Sequence, residues 1–254
     1  MIDIHIHIIP GVDDGSRSLE MSLAMARMAY ETGVDHMIVT PHSYPGLYEN
    51  YAGERLEAKY HGLKEALRAQ GIPLRLYRGM EIYGTEDTVS LLKRKKLWTL
   101  NHTKYILIEF GFHEEPDFVN EILADCYDAG YRPIVAHPAR YSFVQADPQL
   151  VYDWYQKGYG IQLNKGSILG SNGKRCQDCA LSLLRHGLVH CVASDAHRMG
   201  WREPNMDTIT QELEKNFGEE YTYMLLEENP GRILDGRVLV GYDPIPYISD
   251  EDYE

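Results

Sequence analysis

Seven short β-rich runs alternate with six helical stretches along this chain, and that alternation limits the folds open to it. The runs are Ile2–Ile9, His36–Thr40, Leu74–Glu81, Tyr105–Phe110, Arg132–Ala136, Gly160–Asn164 and His190–Ser194. Between them, apolar periodicity, charge distribution and terminal Gly or basic residues predict helices over Leu19–Thr32, Tyr51–Gln70, Thr85–Arg94, Asp117–Ala129, Gln149–Lys157 and Arg175–His186. Strands separated by helices pair in parallel, and right-handed crossovers leave an open doubly wound sheet or a closed barrel. Spacing alone does not choose between them.

The polar residues decide. A metal-capable side chain stands at nearly every strand's C-terminal end: His7 then Asp14, His42 after Thr40-Pro41, Glu81, Glu109, His137, and Asp195 with His197. In an α/β barrel the loops at that rim converge, so residues from several strands can reach one point. The expected fold is therefore a distorted seven-stranded α/β barrel, TIM-like, with the site at the C-terminal rim. No linker, low-complexity tract or repeat divides the 254 residues. A single barrel domain over 1–240 is expected, followed by a solvated acidic tail over 241–254 that carries Tyr242, Tyr247 and Tyr253.

In Asp3-Ile4-His5-Ile6-His7 strict strand alternation would put Asp3, His5 and His7 on one face and Ile2, Ile4, Ile6 and Ile8 on the other. Neutral imidazole is the commonest metal ligand, and two on one buried face favour a cation over two satisfied core histidines. A carboxylate placed directly after Tyr105-Ile106-Leu107-Ile108 is costly unless paired or metal-bound. The ligand candidates number nine: His5, His7, Asp14, His42, Glu81, Glu109, His137, Asp195 and His197. That exceeds the needs of one cation, so two or three divalent metals are implied, with Glu81 chosen as the bridging carboxylate. Mixed imidazole and carboxylate donors suit manganese, iron or zinc better than magnesium or calcium. His36, His61, His102, His113, His186 and His190 fit no strand-end pattern.

The formal charge of −13 argues against a general nucleic-acid binder. The chain shows no signal-peptide pattern and no apolar run approaching the ~18 residues of a membrane helix, so a soluble cytoplasmic protein without membrane insertion is expected. Of the cysteines 126, 176, 179 and 191, only Cys176-Gln177-Asp178-Cys179 has ligand-like spacing, which is weak evidence without a second pair. Cys179 and Arg185 also satisfy a C-x5-R spacing, but the intervening Ala-Leu-Ser-Leu-Leu reads as a helix stripe rather than a phosphate loop. Met21, Met25 and Met28 allow either an oligomer contact or a helix packed on the barrel.

Taken in order, Asp3-Ile4-His5-Ile6-His7, Val12-Asp13-Asp14-Gly15, Thr40-Pro41-His42, Gly79-Met80-Glu81-Ile82-Tyr83, Leu107-Ile108-Glu109-Phe110, Ala136-His137-Pro138-Ala139-Arg140-Tyr141 and Ala193-Ser194-Asp195-Ala196-His197 resemble the PHP (polymerase and histidinol phosphatase) superfamily. Within it the chain is most similar to the manganese-dependent protein-tyrosine phosphatases of bacterial capsule and exopolysaccharide gene clusters, over residues 1 to about 235. The resemblance implies a trinuclear site: His5, His7, Glu81 and Asp195 at one metal, Glu81, Glu109 and His137 at a second, Asp14, His42 and His197 at a third. It matches Arg140 and Arg202 to arginines that hold the phosphate, a role guanidinium suits. It implies hydrolysis of phosphotyrosine by a water that the cations activate, with His42 or His197 able to protonate the departing phenolate. The implied partner is a membrane-associated tyrosine autokinase of polysaccharide synthesis. Asp3 is cast as an acceptor that orients one of the ligating imidazoles. A phosphatase of small esters such as histidinol phosphate, a phosphodiesterase, and a non-catalytic regulatory barrel remain as alternatives.

Overall fold

A computed structural model describes residues 1–247, and the acidic end Ser249–Glu254, with Tyr253, lies outside them. Nine strands occur among these residues: β1 (Ile2–Ile6), β2 (His36–Val39), β3 (His42–Ser43), β4 (Arg75–Arg78), β5 (Glu81–Tyr83), β6 (Tyr105–Glu109), β7 (Arg132–Ala136), β8 (Gly160–Asn164) and β9 (Cys191–Ala193). Every pairing is parallel, in two sheets of order β1-β2-β4 and β3-β5-β6-β7-β8-β9. The expected α/β class and parallel strands are present, but the count is nine strands in two sheets rather than seven in one.

One extra strand comes from the expected run Leu74–Glu81 breaking in its middle, and the other, β3, forms just past the end of the run His36–Thr40. Pro41 has no N–H to give a ladder, and Thr40 turns instead to β1, its N–H bonding to the Ile6 carbonyl at 2.9 Å and its Oγ1 accepting from the Ile6 N–H at 2.9 Å. Across from it the backbone of Gly79 runs so close to Ile38 and Leu100 that an added Cβ would meet each at 2.7 Å. Past both breaks the chains pair again, with His42 opposite Glu81. At the far end, the segment following β9 reaches β1 through an isolated bridge between Ile6 and Ala196 and through bonds from Asp195 N–H to His5 O and from His7 N–H to Ala196 O, both 2.9 Å.

The six expected helices occur within three residues of their predicted ends: Leu19–Glu31, Glu54–Ala69, Thr88–Lys93, Pro116–Asp128, Gln149–Gln156 and Lys174–Arg185. Ser18 caps the first of them by accepting from the Met21 N–H at 3.2 Å, and Met25, Ala26 and Ala29 pack its inner face. That settles Met25 as core. The second buries Leu56, Tyr60, Leu63 and Leu67 at helical spacing. Further helical segments between Ser142 and Asp235 include Asp207–Phe217. No helix among the described residues is long and apolar enough to cross a membrane.

Strict alternation fails in β1. Ile4 packs in a small cluster walled by strand residues Ile38, Leu107, Ile134 and Ala193, whereas Ile6 belongs to the large cluster between strands and helices. The β1–β2 register shifts between Asp3 and Ile6, which accounts for the switch of face. The tail is also less free than expected. Tyr247 stacks on His186 at 3.8 Å, its hydroxyl lies 2.8 Å from Ser182 Oγ, and its N–H donates to Gln149 Oε1 at 3.0 Å.

Candidate metal centre

All nine expected ligands meet in one cluster, most of them at or just past strand C-terminal ends, whereas His42 and Glu81 open the short strands β3 and β5. His5 and His7 leave β1 beside Glu81 of β5, each Nε2 lying 3.1 Å from Glu81 Oε2. His42 Nδ1 is 3.1 Å from that same oxygen, and His137 Nε2 is 2.8 Å from Glu81 Oε1. One buried carboxylate therefore touches four imidazoles. Asp195 Oδ1 stands 3.5 Å from His5 Nε2 and 3.6 Å from His7 Nε2, and Asp14 Oδ1 stands 3.5 Å from both His42 Nε2 and His197 Nε2.

These contacts sort into four overlapping groups whose donor atoms lie within 4.8 Å of one another: His7, Asp14, His42 and His197; His5, His7 and Glu81; His5, His137 and Asp195; and His42, Glu81 and Glu109. The grouping differs in detail from the one the resemblance implies. His42 joins Glu81 and Glu109, while His137 joins His5 and Asp195.

Asp14 Oδ1, His42 Nδ1, Glu81 Oε2, Glu109 Oε1 and His137 Nδ1 are buried without a hydrogen-bond partner. His42 Nδ1 and Glu109 Oε1 are only 2.8 Å apart, yet their angle makes no hydrogen bond. Unpaired buried polar atoms each cost about 1–3 kcal/mol, and five aimed into one cluster are the arrangement a divalent cation would relieve. The donor set fits such ions.

Electrostatics agree. Burial opposes charge on Glu81 and Asp195, but His5 with His42, and His5 with Arg202, hold the two carboxyls well below the usual range. Burial likewise opposes charge on His5 and His7, and is outweighed by Glu81 with Asp195 and by Asp13, so both imidazoles are raised. Burial and the neighbouring His7 push His197 down to about 4. Cations taken up here would displace protons held by the raised imidazoles.

Three supporting residues escaped the sequence reading. Asp13 Oδ2 accepts from His7 Nδ1 at 2.9 Å and from the His42 N–H at 3.1 Å. Gln162 Oε1 lies 3.0 Å from His5 Nδ1, and its amide donates to Asn164 Oδ1 at 3.0 Å; Asn164 in turn donates to Asp195. The signal for this second pair was present, because Gln162 and Asn164 share one face of the otherwise apolar Gly160-Ile161-Gln162-Leu163-Asn164. Asp3 does not orient an imidazole. Its Oδ1 accepts the backbone N–H groups of His5 at 3.2 Å and Ser194 at 3.1 Å, so it ties β1 to the end of β9, and the face switch in β1 explains why.

Arg140 and Arg202 both reach Asp195, Arg140 Nη1 at 3.6 Å and Arg202 by direct ion pair. His137, Asp195 and Arg202 all carry positive φ, at 38°, 47° and 54°, as non-glycine residues held in costly conformations around one site. The centre opens into a pocket of about 210 Å³ lined by Tyr44, Leu47, Tyr48 and Phe112. Asp14, Arg140, Asp195 and Arg202 also line an adjoining groove of about 960 Å³. The histidines set aside as background stay outside, and His190 is a buried structural residue whose Nδ1 accepts the Ile161 N–H at 3.1 Å.

Known proteins share this arrangement of chain. The tyrosine-protein phosphatase YwqE of Bacillus subtilis is 37% identical over 246 residues, covering 97% of this chain and 96% of that protein. The tyrosine-protein phosphatase CpsB of Streptococcus pneumoniae is 31% identical over 239 residues, covering 92% and 98%. A solved structure from work on YwqE and CpsB, described as unique metal-dependent tyrosine phosphatases, superposes with a TM-score of 0.91 at 36% identity, covering 98% of this chain and 100% of that one. The profile of the family described as capsular polysaccharide synthesis, CpsB/CapC, matches residues 1–235, and the chain belongs to that family.

Proposed function

We propose that this chain is a metal-dependent phosphomonoesterase that removes phosphate from tyrosine residues of a protein in capsular polysaccharide synthesis. The observation that carries the reading is Glu81, a buried carboxylate touching four imidazoles, beside two arginines that share Asp195. His5, His7, Asp14, His42, Glu81, Glu109, His137, Asp195 and His197 would hold two or three divalent ions; the mixed donor set suits manganese, iron or zinc, and the resemblance favours manganese among them. When bound, the ions would neutralise phosphoryl oxygens and bring the pKa of a water toward neutrality.

The side chains supply the rest. Arg140 and Arg202 present guanidinium forks where phosphoryl charge accumulates, the chief demand of this chemistry. A phosphoryl group would draw both forks from Asp195. Gln162 and Asp13 fix the orientation of His5 and His7, so the donor set is arranged before substrate arrives. His42 and His197 flank half-buried Asp14, and whichever of the two is not fully committed to metal would pass a proton outward. Phenolate, with a pKa of about 10, needs little such help to leave. Cys179 is no nucleophile: it lies inside the helix Lys174–Arg185, and burial pushes its thiol up to about 12.

The finer reading, in which the substrate protein is a membrane-associated tyrosine autokinase and the enzyme a cytoplasmic single-domain barrel, rests on the sequence resemblance. Turnover of a phosphotyrosine peptide by manganese-loaded protein, lost with chelator, is the expected result. A strong preference for histidinol phosphate would overturn the assignment.

A further inference from the structure

Each phosphate-facing arginine is backed by an exposed aromatic ring. The Arg140 guanidinium sits 4.3 Å from the ring centre of Phe112, and that of Arg202 5.4 Å from the ring centre of Trp201. Arg198 flanks the same indole at 4.9 Å. The two rings come from different segments, one after β6 and one after β9, and their arginines converge on one carboxylate oxygen, Asp195 Oδ2.

Neither ring is sheltered. Phe112 is 40% exposed and Trp201 51%, although Trp98 and Trp154 are buried. Phe112 lies edge-on to His137 at 6.3 Å and Trp201 edge-on to His197 at 5.9 Å, so both rings stand directly over expected metal ligands. Phe112 lines the 210 Å³ pocket and Trp201 the adjoining groove. The segment carrying Trp201 is framed rather than loose: the His197 N–H bonds to the Arg202 carbonyl at 2.9 Å, Gly200 N–H to Glu203 Oε1 at 2.6 Å, and Lys165 anchors the carbonyls of Glu203 and Asn205.

Two partly exposed rings at the lip of a charged site offer apolar surface that a bound ligand can cover. A phosphate seated between the arginines would place whatever carries it at this lip. The first atoms beyond the ester oxygen are a flat ring in phosphotyrosine and a single methylene in phosphoserine. Aromatic pairs gain from edge and offset contact what a methylene cannot.

We infer that Phe112 and Trp201 are specificity-determining residues that select aryl over alkyl phosphates, each taking the substrate ring on its open surface while keeping its arginine in place. The inference rests on the phosphotyrosine reading above and names the groups that enforce it.

The test compares two phosphonates that differ only in the ring. Phenylphosphonate and methylphosphonate are titrated into manganese-loaded protein by calorimetry, with Trp201 fluorescence as a second readout and W201F as the silent control. Wild type should bind the phenyl compound at least about tenfold more tightly and change its emission only with that compound. F112A and W201A should each lower the ratio severalfold, the double variant should bring it near one, and W201F should restore most of it. A ratio unchanged in the double variant would sink the inference, as would an equal loss of both affinities, which would leave the rings acting only through the arginines. Turnover of a phosphotyrosine peptide is measured alongside: a phenyl preference without turnover overturns the phosphatase reading and leaves the aromatic selection standing, while turnover with an unchanged ratio does the reverse.

Discussion

Asp13 holds His7: its Oδ2 accepts from His7 Nδ1 at 2.9 Å while its Oδ1 accepts the Gly15 N–H at 3.0 Å. The carboxylate thus fixes the tautomer that leaves Nε2 free toward Glu81 and Asp195. Asp13→Ala should weaken manganese binding about 10–100-fold, and Asp13→Asn less, because the amide oxygen can still accept. Calorimetric titration measures both. Equal affinity in wild type and the Ala variant would remove Asp13 from the site.

Gly15 is needed for space. A Cβ there would lie 2.2 Å from the His7 carbonyl oxygen and 2.4 Å from His7 Cβ, and neither belongs to a flexible chain end. Gly15→Ala should destabilise the fold by about 1–3 kcal/mol through overpacking and should also blunt metal uptake by displacing His7. Thermal melts with and without manganese read both effects; an unchanged melt in both states would contradict the close approach.

Glu109 and His137 were legible because each puts a costly polar group directly after an apolar run, and His7, His42, Glu81 and Asp195 because each stands at or just past the end of an expected strand; all six meet in one cluster. Asp13 was not legible, since in Val12-Asp13-Asp14-Gly15 nothing local tells which carboxylate joins His42 and His197 and which backs His7. Asp3 was misplaced because period-2 alternation was carried through Ile4-His5, where the register shifts. The broken sheets depend on Pro41 and on the close approach at Gly79, a tertiary contact that no local pattern reports. Tyr247 looked like tail because its partners, Ser182, His186 and Gln149, are distant in sequence.

His190 should make the fold acid-sensitive. Burial pushes its imidazole down to about 4, and it stacks on Tyr155 at 4.7 Å with Nδ1 already accepting the Ile161 N–H. In the unfolded chain it titrates near 6.5, so between about 6.5 and 4 the unfolded state binds a proton that the folded state refuses. Its contribution is present in full above 6.5 and is lost as the pH falls toward 4, by on the order of 3 kcal/mol. In His190→Gln, whose amide can keep the acceptor role, that loss disappears, so denaturant titrations of the two proteins should converge as the pH drops. Parallel curves would show that His190 is not held neutral.

Cys179→Ser should leave phosphotyrosine turnover within about twofold of wild type. The thiol is buried in a helix, and the helix offers no inward-turned amides to a phosphate. Steady-state kinetics decide it: abolished turnover in a variant that still melts normally would restore a cysteine mechanism.

Glu81 and Asp14 should differ in how many ions they hold. Glu81 belongs to two of the four groups, with His5 and His7 and again with His42 and Glu109, whereas Asp14 belongs only to the group of His7, His42 and His197. Ions that bind only the folded protein stabilise it by RT ln(1 + [ion]/Kd), about 2.7 kcal/mol at a hundredfold excess over Kd. For a domain of this size that is roughly 5–10 °C in melting temperature. Chelation of wild type should cost a shift of that order, and Asp14→Asn should lose one equivalent of manganese while keeping part of it. Glu81→Gln should lose more than one equivalent and nearly the whole shift, because its amide would turn an N–H toward imidazole nitrogens or the ions themselves. Metal analysis after desalting, paired with melts, separates the two variants. Equal stoichiometry in both would mean that Glu81 does not bridge.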